Sequence, residues 1–76
     1  MRAFVLINVD TGMDLDELER AVKKAKGARR VYSVTGPYDM IAEIEASDMA
    51  TMGKIVSDIR LVDGVLGTLT LVTTKG

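Results

Sequence analysis

The stretch "RRVYSVTGPYDMIAEIEA", Arg29–Ala46, decides the fold. Its first half, "RRVYSVT", Arg29–Thr35, favours extended backbone and breaks at Gly36-Pro37. Its second half, "YDMIAEIEA", Tyr38–Ala46, sets Met40, Ala42, Ile44 and Ala46 in alternation with Asp39, Glu43 and Glu45. Alternation of this kind turns one set toward a core and the other away from it, and a Gly-Pro break between two such runs predicts a hairpin. Proline at the second position of Gly36-Pro37-Tyr38-Asp39 suits a β-turn, and because tyrosine tolerates positive φ poorly the pattern favours type I over type II.

Upstream, "RAFVLINVD", Arg2–Asp10, is apolar on both alternating sets, with Ala3, Val5, Ile7 and Val9 on one and Phe4 and Leu6 on the other. It reads as a strand covered on both faces. Between this strand and the hairpin, Asp14 followed three residues later by Glu17 forms a capping-box pattern, with Met13 and Leu18 placed as a hydrophobic staple. Leu15, Leu18, Val22 and Ala25 then recur at helical spacing, Glu19 and Lys23 form a favourable i,i+4 pair, and Gly27 predicts an end near Lys26.

Downstream of the hairpin, Ser47 or Asp48 can cap a second helix, whose apolar stripe is Met49, Met52, Val56 and Ile59, widened by Ile55, with Arg60 in the last turn. Asp63-Gly64 is a turn signal, and "VLGTLTLVTT", Val65–Thr74, is a fourth strand in which Leu66, Thr68, Thr70 and Val72 alternate with Val65, Leu69 and Leu71. The order βαββαβ is the ferredoxin-like α+β arrangement, a four-stranded antiparallel sheet with two helices on one face, filling a single domain over residues 1–76. Two helices cover about one face of four strands. Phe4 and Leu6 are therefore expected on the other face, against a second copy laid sheet to sheet in a dimeric α/β-barrel-type pairing.

Composition narrows the function. At 76 residues the chain buries a modest share of its surface and needs packing or assembly for stability. With no cysteine and no histidine there is no disulfide, no thiolate site, no histidine base and no imidazole metal ligand, so neither a metal nor a cofactor is expected. Met1 leads directly into a β-favouring segment without a signal-peptide pattern, and no apolar run has bilayer-spanning length; the expectation is a cytoplasmic chain with no membrane partner. A net charge of −1 gives no general attraction to nucleic acid. The basic run "KKAKGARR", Lys23–Arg30, has no interleaved aromatics and reads as a solvated helix end. Glu43 and Glu45 share a strand face and read as a charged face reaching toward a neighbouring subunit's arginines, rather than as an acid–base pair or metal site. Met40, Met49 and Met52 read as core filler rather than as an adaptable binding surface.

The corner from Val34 to Asp39 has two readings. One is turn chemistry alone. The other is a binding wall, in which unpaired backbone N–H groups donate to a carboxylate while Asp39 holds an ammonium, the two charges of an α-amino acid. Thr68, Thr70, Thr73 and Thr74 give the last strand hydroxyls that suit β structure and a small polar ligand equally.

Together "VTGPYDMIAEIEASDM" and "LVDGVLGTLTLV" resemble the effector-binding (RAM) domain of the Lrp/AsnC family, over essentially the whole chain. The most specific parts are Val34–Asp39 and Gly64–Thr70. The resemblance implies sheet-paired dimers, rings that are commonly four dimers, and small effectors, often amino acids, bound between dimers. Carried over position by position, it marks Gly36, Tyr38 and Asp39 at the corner, flanked by Val34 and Thr35, and Thr68 and Thr70 on the facing strand. Pro37 leaves the cradle one N–H fewer. Because the sequence starts at the first strand of that domain, the resemblance implies a stand-alone form without the family's helix-turn-helix unit and without direct DNA reading.

Three functions follow. The first is a non-enzymatic oligomeric module that binds an amino acid or related metabolite and bears on transcription by co-assembly with full-length regulators. The second is a small dimeric enzyme of the monooxygenase or isomerase kind, against which stands the lack of a nucleophile with an adjacent base. The third is a subunit that only completes assemblies.

Overall fold

The structure is a computed structural model that describes all residues from Met1 to Gly76. Its elements are β1 (Arg2–Val9), α1 (Leu15–Lys23), β2 (Ala28–Ser33), β3 (Met40–Glu45), α2 (Met49–Arg60) and β4 (Val65–Val72). The strands form one antiparallel sheet in the order β2-β3-β1-β4, so the doubly apolar β1 lies inside and is paired on both sides. The ferredoxin-like expectation is met.

Both helices start where a side chain replaces missing backbone partners. Asp14 accepts from the N–H of Asp16 at 2.9 Å and of Glu17 at 3.4 Å, and Asp48 accepts from Thr51 at 2.8 Å. Met13 and Leu18 close together over the turn before β4: a Cβ at Gly64 would lie 2.6 Å from Met13 Sδ and 2.7 Å from Leu18 Cδ2, and Gly64 has φ +99°. Glycine is required there on both counts.

The core lies between the sheet and the helices. Ala3, Val5, Ile7 and Val9 of β1 and Met40, Ala42 and Ile44 of β3 meet Leu18 and Val22 of α1 and Met52, Ile55 and Ile59 of α2, all buried. Side chains such as Ile7, Met40 and Ile59 contribute about 1.5–3 kcal/mol each as an upper estimate. Of the three methionines read as filler, Met40 and Met52 are buried, whereas Met49 lies exposed at the start of α2.

The opposite sheet face is open. One row across it is apolar on all four strands, Tyr32, Ile41, Leu6 and Leu69, and the next runs Arg30, Glu43, Phe4 and Leu71. Phe4 and Leu6 are half-buried by these neighbours, while Tyr32, Leu69 and Leu71 are exposed. Glu43 finds its partner within the chain, Arg2, at 3.5 Å.

Several boundaries differ from the sequence reading. Helix α1 stops at Lys23 rather than near Lys26, because the chain turns and Ala28 N–H bonds to Ala25 O at 3.0 Å. Strand β2 ends at Ser33 and β3 begins at Met40, leaving Val34–Asp39 as a six-residue connection. Strand β4 ends at Val72, short of Thr73 and Thr74.

Candidate functional site

The β2–β3 connection is closed at its base by Val34 N–H donating to Asp39 O at 2.9 Å. The expected type I turn across Gly36–Asp39 is not closed by its own hydrogen bond, because Asp39 N–H donates to Ile7 O at 2.9 Å instead. The Asp39 carboxylate also turns to β1, its Oδ2 accepting from Val9 N–H at 2.9 Å in a partly buried bond. Asp39 thus holds β1 at Ile7 and Val9. The signal for this was the carboxylate at the mouth of β3; its partner, 30 residues away, has no local sequence signature.

With its ends fixed, the connection presents backbone outward. Thr35, Gly36 and Pro37 are exposed and Val34 and Tyr38 half-buried. The N–H groups of Thr35, Gly36 and Tyr38 donate to no group within the chain. Gly36 has φ +133° and a Cβ there would meet nothing within 4 Å, so backbone conformation rather than crowding calls for glycine. Free donors beside an anchored carboxylate make a surface complementary to a zwitterion.

Thr68 and Thr70 do not join this corner within one chain. They pair with Ile7 and Val5, so β1 separates them from β3. Two strand spacings are about 9.5 Å, and both threonines share the helix-side face of β4 with half-buried Val72. No concavity on the chain is lined by residues 34–39; the two largest, of about 410 and 460 Å³, are lined by groups such as Arg2, Glu43 and Thr73, and Lys26, Thr51 and Lys54. Within one chain the corner stands apart from both threonines and lines no cavity. Elsewhere, Ser33 Oγ donates to Glu19 at 3.0 Å in an exposed contact tying β2 to α1. No cluster of metal-ligating side chains is present, and no helix is long and apolar enough to cross a membrane.

The βαββαβ order, with both helices on one sheet face and the other face open, defines a ferredoxin-like α+β domain. The chain belongs to the family described as the Lrp/AsnC ligand binding domain, whose model matches residues 2–75. A curated relative, the HTH-type transcriptional regulator LysM of Sulfurisphaera tokodaii, is 29% identical over 68 residues, covering 90% of this chain and 49% of its own length. A homocitrate synthase of Sulfolobus acidocaldarius is 30% identical over 73 residues, covering 96% of this chain but 16% of the enzyme. The chain thus spans about half of one relative and a small part of the other.

Among solved structures, TTHA0845 from Thermus thermophilus is 34% identical with a TM-score of 0.89, covering 99% of this chain and 94% of that one. A transcriptional regulator of Neisseria meningitidis in complex with L-Met shares the fold, with TM-score 0.83 at 22% identity over 97% of this chain and 49% of that one.

Proposed function

We propose that this domain is a non-enzymatic, oligomeric binding module for an amino acid or closely related metabolite. The observation that carries the reading is the corner itself: three unpaired N–H groups, of Thr35, Gly36 and Tyr38, beside the carboxylate of Asp39. The α-carboxylate of the effector sits on the N–H groups and its ammonium on the free oxygen of Asp39. Thr68 and Thr70 of a neighbouring copy close the site, since those of the same chain lie beyond β1. Family membership supports a small ligand, and the L-Met complex of the Neisseria regulator supports an amino acid.

Assembly follows from the open face. A second copy laid over Phe4, Leu6 and Leu71 removes from water the apolar row that one chain leaves uncovered. Dimers so formed associate further, to rings of up to four dimers, and take up full-length regulators of the same family in the cytoplasm, which links the bound effector to transcription. The match within a homocitrate synthase supports the same domain serving as a sensing unit attached to an enzyme. The test is a thermal-shift screen over the twenty amino acids, because a ligand that binds only the folded state raises its stability by RT ln(1 + [L]/Kd). A concentration-dependent rise with at least one of them is expected; no rise at millimolar concentration refutes the effector role.

A further inference from the structure

We infer that Asn8 and the bare backbone of Gly67 form the subsite that receives the effector's side chain, and that they select a polar-ended side chain over an aliphatic one. This rests on the proposed effector site at the corner. Asn8 lies on the open sheet face, in alternation with Phe4 and Leu6, and it is half-buried. Asp39 brackets it, bonding to Ile7 on one side and Val9 on the other. Across from Asn8 on β4 stands Gly67, just before the register shift that follows Asn8.

Within one chain Asn8 has no side-chain partner, and Gly67 stands at the register shift, crowded by nothing. A Cβ at Gly67 meets nothing within 4 Å and its backbone is not left-handed, so any side chain fits there within one chain. Glycine in a strand costs stability and marks either a bulge, as at this register shift, or a place where another group approaches the backbone closely; the open space beside Gly67 leaves room for the second. The Asn8 amide enters no hydrogen bond of the chain, although it stands beside the apolar row that includes Leu6 and Leu69. When a second copy covers this face, an amide without a partner becomes costly to bury, so Asn8 needs a polar group opposite it. A slot with Asp39 at one side, the Asn8 amide as floor, the Gly67 shelf beyond and Leu6 and Leu69 as wall matches a zwitterion whose side chain both donates and accepts.

L-Gln and L-Met are similar in length and differ at that polar end, so calorimetric titration of the full chain with each isolates the claim. Wild type is expected to bind L-Gln at least tenfold more tightly than L-Met, Asn8→Leu to reverse the order, and Gly67→Val to weaken both while binding glycine as wild type does. Circular dichroism and solution mass of each variant establish that fold and assembly persist. An unchanged Gln-to-Met ratio in Asn8→Leu overturns the subsite while leaving the corner site standing, as does a change in assembly without a change in ratio. Absence of binding by any of the twenty amino acids to wild type overturns the corner reading and the subsite together.

Discussion

In the proposed function Asp39 does two jobs with one carboxylate. One oxygen accepts from Val9 N–H at 2.9 Å and fixes the end of β1; in that proposal the other takes an effector's ammonium. Asp39→Ala therefore costs fold stability as well as binding. Losing a partly buried, charge-assisted bond is expected to lower unfolding free energy by about 1.5–3 kcal/mol, read by urea denaturation without ligand. Asp39→Asn keeps an acceptor for Val9 and removes only the charge, so it separates the two jobs. Gly36→Ala is expected to cost about 1–3 kcal/mol through its backbone alone, since φ is +133° and nothing crowds the position. The acidic corner and its glycine were legible in the sequence because turn chemistry is local. The bond from Asp39 to Val9 and the separation of Thr68 from the corner were not, because both depend on which strands become neighbours.

Helix caps and the alternation of β1 and β3 were read correctly because they depend on residues a turn or less apart; in β4 the alternation fails at the start, where the register shift opposite Asn8 and Val9 turns Val65 onto the core and leaves Leu66 exposed. Asp14 and Asp48 cap as their spacing implies, and Met40, Ala42 and Ile44 face the core. The end of α1 was placed too late, because Ala25 keeps helical spacing while the chain already turns to bring Ala28 onto the sheet. The backbone and side-chain hydrogen bonds from Thr51 hold the Asp48 carboxyl below the usual carboxylate range. A depressed folded-state pKa gives stability that is present above the unfolded pKa and lost as pH falls through the folded value. Acid titration of the melting temperature below about pH 4 is thus expected to be shallower in Asp48→Ala than in wild type. Within α2, a Cβ at Gly53 would meet nothing within 4 Å and the residue is exposed. Gly53→Ala is expected to stabilise the domain by about 0.8–1 kcal/mol, a rise of about 4–8 °C in Tm for a chain of this size.

At the scale of the whole molecule, the sheet has one dry face and one waiting face. The dry face carries the core; the other carries Phe4, Leu6, Leu69 and Leu71 without cover in the single chain. Phe4→Asp puts a charge in the middle of that face and is expected to reduce the solution mass to that of one 8.2 kDa chain, or to unfold it. Sedimentation that gives the same mass for wild type and Phe4→Asp contradicts sheet-to-sheet pairing. The central claim, that assembly builds an amino acid site from the corner, is tested most directly by calorimetric titration of wild type and Asp39→Asn with the amino acid that raises the melting temperature most. Saturable binding by wild type, lost in an Asp39→Asn variant that still folds, is the predicted result; equal affinity in the two proteins contradicts the account.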